Sequence, residues 1–244
     1  MSFFTRDRGK LRGIARGARR PKSKFGSSLE RLAHSRLYYF QKENVELVRL
    51  QRADLQGAAN LWKADYASSI ILDVIAEASD RLLPGHQPHD AYFRLLRLVV
   101  DEFRRGIATG ISDGPVPRWA HRALVYYLLW GARLGGWLPS IDRCCETDRP
   151  FRPGEQAFFG MDRDGLFGAG FKDRNSWPFP PAARDLAAAM LKTRVDKLDD
   201  SLWLPDAVFA LQRFLLQRTQ AQLEGRLRGA EALRSLWRDG DASA

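Results

Sequence analysis

The chain has 244 residues and a mass of 27.7 kDa, enough for one large domain or two small ones with an adequate core, which argues against disorder over its whole length. Its 39 Lys and Arg against 29 Asp and Glu leave a net charge of +10, and residues 1–52 hold fourteen of the bases and four of the acids, so the other 192 residues balance. The longest strongly apolar run, residues 123–132, is half the length of about 20 that a spanning helix needs. Nine basic residues are scattered through the first 24, which does not read as a secretory leader. The two cysteines, Cys144 and Cys145, are adjacent and cannot staple distant parts of the chain, so a reducing cytosol is the expected compartment.

In chain order, residues 2–5 and 10–18 flank Arg6-Asp7-Arg8-Gly9 and read as two strands joined by a hairpin turn. Residues 19–26 hold Arg19, Arg20, Lys22 and Lys24 with Pro21 and Gly26, which makes a basic loop and not a central strand. Residues 37–40 and 45–50 read as a further pair of strands around 41–44. After residue 57 the apolar period changes to about 3.6. Ile70, Ile71, Val74, Ile75, Ala78 and Leu82 mark one helical face, stopped by Pro84-Gly85. Phe93, Leu96, Val100, Phe103 and Ile107 mark a second, stopped by Gly110. A third helix starts at Pro117 and runs to Gly135-Gly136; residues 139–181 are irregular; two more helices cover 182–192 and 205–237. The expected architecture is α+β: a basic β module over 1–57, then a helical region over 58–244 with a loop-rich insertion at 139–181.

The basic segment has two readings, a solvated charged face or a nucleic-acid interface. Lys10, Arg12, Arg16, Arg19, Arg20, Lys22 and Lys24 are interleaved with Gly9, Gly13, Gly17 and Gly26. Alternate strand positions place Lys10, Arg12 and Arg16 on one side, and glycines let a phosphate chain approach the backbone, which favours nucleic acid. Phe3, Phe4, Phe25, Tyr38, Tyr39 and Phe40 lie among these charges; an exposed one can stack a base, although a small barrel needs most of them inside.

The run SFFTRDRGKLRGIARGARRPKSKFGSSLE (residues 2–30), followed by LYYFQKENVELVRLQRADL (37–55), resembles the N-terminal domain of the RecO family of bacterial recombination mediators. The resemblance continues more weakly through the helices, LPSIDRCCETDRPF (138–151) and FFGMDRDGLFGAGF (158–171). It implies an oligonucleotide-binding (OB) barrel followed by a helical domain with a zinc-ribbon-like insertion. It also implies binding of single- and double-stranded DNA, annealing of complementary strands, contact with the acidic tail of the single-strand-binding protein SSB, and work with RecR to load RecA, all in the cytoplasm at the bacterial nucleoid. Family members carry a further stretch, including the first barrel strand, ahead of the position of Met1; the expectation is a misassigned start and a barrel with an open edge.

Zinc-bearing members carry two Cys-x-x-Cys pairs. The resemblance maps these to Cys144 and Thr147, and to Gly168 and Phe171, so one ligand of four remains and a metal-free insertion held by Phe158, Phe159, Phe167 and Phe171 is expected. His34, His86, His89 and His121 form no metal or catalytic pattern; Gly9-Lys10 lacks the upstream Gly and the Ser/Thr of a phosphate-binding loop; no Gly-x-Ser-x-Gly elbow or Gly-x-Gly-x-x-Gly turn occurs. The reading is therefore a non-enzymatic binder without cofactor. The rivals are an RNA-binding or ribosome-associated OB-fold accessory protein and, further off, a nuclease.

Overall fold

Along Gly9–Ile14 the side chains alternate between Gly9, Leu11 and Gly13, all buried, and Lys10, Arg12 and Ile14 on the other face, so the segment is a strand with one inward side. The computed structural model describes residues 1–18, 20, 22–43, 45–56, 61–111, 114–223 and 225–241. Strand β1 (Ser2–Thr5) pairs antiparallel with β2 (Gly9–Ile14) in the register Ser2↔Arg12 to Thr5↔Gly9, around the expected turn. Strands β3 (Ser35–Phe40) and β4 (Val48–Leu55) are also antiparallel, and β4 lies parallel to β2, giving the order β1-β2-β4-β3 with β1 and β3 at the edges. Phe25, Val48, Leu50 and Ala53 form the core of this sheet, with Phe3, Leu37 and Tyr39 against them.

Two strand boundaries differ from the sequence expectation. The second strand ends at Ile14, not at residue 18, so Arg16 does not share its alternation with Lys10 and Arg12. The fourth begins at Val48 and reaches Leu55; Val48, Leu50 and Ala53 face the core, and an irregularity between Tyr38 and Tyr39 shifts the alternation by one so that Gln51 and Arg52 both point outward. The expected boundary between residues 57 and 58 lies outside the described residues.

The helices are α1 (Tyr66–Leu82), α2 (Asp90–Thr109), α3 (Arg118–Leu134), α4 (Pro181–Lys192), α5 (Pro205–Gln222) and α6 (Gly229–Asp241). Their limits have local causes. Asp65 caps α1 by accepting from the Ser68 amide, His89 caps α2 by accepting at Nδ1 from the Tyr92 amide, and Gly110, at φ +63°, ends α2. The single helix expected over 205–237 is two helices: α5 ends at Gln222 with Leu223 as its C-cap, and α6 begins at Gly229.

The chain divides into two compact units, Met1–His121 with Leu227–Ala244, and Arg122–Arg226. In the first, the sheet packs on α1 and α2. Phe4 meets the rings of Tyr92 and Phe93, Arg6 pairs with Asp90 at 3.0 Å, and Arg31 pairs with Asp73. A cavity of about 630 Å³ opens between the two edge strands and these helices, lined by Phe3, Phe4, Leu37, Tyr39, Phe93 and Leu96 among others. Helix α6 lies on α1, where a Cβ at Gly229 would come within 2.6 Å of Val74. In the second unit, β5 (Ala157–Phe159) and β6 (Trp177–Phe179) form an antiparallel pair whose Phe159 and Phe179 stack edge-on with each other and with Phe214 of α5. Among the described residues no helix is long and apolar enough to cross a membrane.

Candidate nucleic-acid interface

Among the described residues between β2 and Gly26, Ala18, Arg20, Ser23 and Gly26 each donate their amide to the carbonyl three residues back. Ala15 and Ala18 pack against the core of the sheet, and Arg16, Arg20, Lys22 and Lys24 are exposed along the segment. Its largest anchor is Phe25, which is 2% exposed in the core of the sheet, with the Lys24 ammonium 5.4 Å from its ring centre. The apolar anchor thus sits one residue from the charge that it positions. Lys22 has φ +61°, a left-handed conformation uncommon for a residue with a side chain. Arg19 lies outside the described residues.

Two sequence inferences about β2 take a different form in the structure. Arg12 is exposed, but the Lys10 side chain is only 14% exposed, donating to the backbone carbonyl of Asp80 on α1. Gly9 and Gly13 are buried and serve packing, not an approaching phosphate. At Gly9, φ is +69° and a Cβ would fall on the Gln87 backbone; at Gly13 it would come within 2.6 Å of Leu50. Gly17 and Gly26 are the exposed pair.

A second group of cations lies on the sheet itself. Along β3 the residues Arg36, Tyr38 and Phe40 point outward, while Leu37 and Tyr39 turn toward the core. On β4, Arg49, Gln51 and Arg52 are exposed. The register sets Tyr38 opposite Arg52, whose guanidinium carbon lies 5.4 Å from the ring centre, and puts Phe40, Arg49 and Ile14 in one row across three strands. Of the six aromatics in the basic segment, Phe25 is fully buried, Phe3, Phe4 and Tyr39 are partly buried, and Tyr38 and Phe40 stand in solvent at 42% and 53% exposure. Sequence reasoning missed Arg36, Arg49 and Arg52. The signal for Arg49 was the alternation Val48-Arg49-Leu50-Gln51, whose apolar positions face inward.

The insertion closes on Cys144, Phe158 and Phe167, with Phe151 against them. Phe171, expected in that core, is 39% exposed. Burial raises the Cys144 thiol, but hydrogen bonds from the Thr147 hydroxyl and from the backbone of Gly168, Glu146 and Thr147 outweigh it and leave the thiol below its ordinary value. Burial, then the charges of Glu146 and Cys144, push Cys145 up. Both cysteines are free thiols. The four positions that correspond to a zinc site offer one thiol, a hydroxyl already turned to that sulfur, a glycine and an exposed phenyl ring. This donor set does not fit a structural zinc. Among the described residues no group of three or more His, Cys, Asp or Glu is placed to hold a metal ion.

Comparison of the sequence with known proteins places both parts of the chain in one family. Residues 1–58 match the family model described as "Recombination protein O N terminal", and residues 63–231 match "Recombination protein O C terminal". The chain is 32% identical over 227 residues to the "DNA repair protein RecO" of Koribacter versatilis, covering 93% of this chain and 87% of that one. It is 32% identical over 151 residues to the protein of the same name in Cutibacterium acnes (62% and 58%), and 28% identical over 190 residues to that in Anaeromyxobacter (78% and 70%). The chain belongs to the RecO family.

Proposed function

We propose that this protein acts in DNA repair and recombination by binding DNA through its N-terminal module, without catalysing a reaction. The observation that carries the reading is the exposure of Arg12, Arg16, Arg20, Lys22 and Lys24 on one strand and one anchored loop, in a chain whose relatives carry the name DNA repair protein. Clustered cations neutralise phosphates and release counterions, which gives affinity for any sequence. The four-stranded module is an OB-like barrel in this reading, and the second unit's aromatic ribbon is a metal-free counterpart of a zinc ribbon. Family membership extends the proposal to annealing of complementary strands, to RecR and the SSB tail as partners, to RecA loading as the outcome, and to the nucleoid as the place.

The test compares affinities for single-stranded DNA, the matched duplex and the matched RNA at one stated salt concentration, with an annealing assay alongside. Binding to both DNA forms and faster annealing support the proposal. Tight binding confined to structured RNA would replace it with the RNA-accessory reading, and strand cleavage would replace it with a nuclease.

A further inference from the structure

We infer that Tyr38 and Phe40 are the base-stacking platform of this protein, and that they select single strands over duplex. The inference rests on the nucleic-acid reading above and assigns it a surface distinct from the basic loop. Tyr38 and Phe40 are two residues apart on an edge strand and project from the same face, so the backbone positions that carry the rings are spaced by about 6.8 Å along the strand. Successive nucleotides of a duplex rise about 3.4 Å, half that distance. Two neighbouring bases therefore meet both rings only from a strand that has been unstacked and drawn out, which a duplex does not offer.

The surroundings favour nucleic acid over an apolar protein partner. Arg52, whose Nε donates to the Asp54 carboxylate at 2.6 Å, lies over Tyr38 and holds that ring in place, and Arg49 stands opposite Phe40. Arg36 precedes the two rings on the same face, and Arg12 lies two residues before Ile14, which completes the Phe40 row. The exposed Arg12, Arg36 and Arg49 thus flank the two rings, the arrangement in which bases stack while the connecting phosphates are neutralised. Ile14, at 51% exposure, adds an apolar floor on the far side of Arg49.

The experiment uses the full chain with Tyr38→Ala and Phe40→Ala, singly and together, and an oligothymidylate of about twenty nucleotides against a duplex of equal length. Because both rings are exposed, the variants keep the fold, which thermal melting verifies. The expected result is a loss of single-strand affinity of about tenfold per ring, with duplex affinity and the slope of log K against log salt unchanged, since a ring releases no counterion. Tyr38→Phe and Phe40→Tyr keep the affinity. As a direct probe, Phe40→Trp gives an indole whose fluorescence the oligonucleotide quenches. If the wild-type chain binds no nucleic acid, the functional reading itself fails. If it binds and the double variant holds the single strand as tightly as the wild type, the platform assignment is overturned while the functional reading stands; so too if the variants lose only a protein partner.

Discussion

The ammonium of Lys10 donates to the backbone carbonyl of Asp80 in the last turn of α1, and the Asp80 carboxylate lies 4.0 Å away. A cation at the carboxyl end of a helix meets both the negative end of its dipole and a carbonyl without an intrahelical partner. Lys10 therefore fastens β2 to α1. Lys10→Ala is expected to destabilise the protein by about 1–2 kcal/mol and to change the salt slope of DNA binding by less than about one. Chemical denaturation and titrations over a range of salt separate the two effects; unaltered stability with a weaker slope would return Lys10 to the interface.

The turn segment should behave in the opposite way. Arg16, Arg20, Lys22 and Lys24 are exposed and make no core. Replacing all four by Ala is expected to leave melting nearly unchanged and to reduce the single-strand salt slope by about 3, near 0.7 for each phosphate no longer neutralised. Affinity should fall for all sequences alike. A slope equal to that of the parent would place the phosphate-binding surface elsewhere.

The difference between these two sets was not visible in the sequence, where Lys10 stands two residues from Arg12 in an evenly basic run. Its partner is seventy positions away, and only the packing of β2 on α1 brings them together. The ends of α1 and α2 were legible because their causes are local: Pro84-Gly85 and Gly110 stop helices whatever they pack against. The outward rings were hidden for a different reason. Leu37-Tyr38-Tyr39-Phe40 is apolar throughout, so a period of two has nothing polar to reveal it, and only the register with β4 separates Tyr38 and Phe40 from Leu37 and Tyr39. Sequence similarity identified the family, but it could not say which of its cations are structural.

In the second unit, hydrogen bonds from the Arg149 side chain and the Arg152 amide hold the Glu155 carboxyl well below its ordinary value, to about 2. Because the folded value is depressed, the stabilisation is fully present above the unfolded carboxylate range and is lost as pH falls through about 2. The Glu155 hydrogen bonds are therefore expected to persist at pH 4. A carboxyl-carbon NMR titration should find its midpoint near the acid end, and Arg149→Ala should move that midpoint upward. A midpoint already at the ordinary value in the parent chain would show that the Arg149 pairing does not hold in solution.

Gly106 is buried in the last turn of α2, and replacing Gly by Ala within a helix ordinarily stabilises by up to about 1 kcal/mol. Here a Cβ would fall on the Trp119 ring, which is itself packed edge-on against Phe103 at 5.3 Å between centres. Overpacking of this kind costs about 1–3 kcal/mol, more than the propensity gain when the ring has nowhere to go. Gly106→Ala is expected to lower stability, and Gly106→Ala with Trp119→Leu to recover most of the loss. A single variant more stable than the parent would mean that Trp119 turns aside freely.

Cys144 tests whether the insertion depends on metal. Its sulfur is buried beside Phe158 and Phe167 and receives hydrogen bonds from Thr147 and from nearby backbone amides, while the positions equivalent to the other three ligands hold Thr147, Gly168 and Phe171. One thiolate does not supply the ligand charge that holds a structural zinc. The purified protein is expected to contain no stoichiometric zinc, and a chelator to leave its melting temperature unaltered. Cys144→Ser, which exchanges the sulfur for a smaller and more polar group in an apolar cluster, should destabilise by about 1–3 kcal/mol. Zinc at one per chain, lost together with the melting transition in Cys144→Ser, would mean that the insertion recruits ligands beyond these four positions.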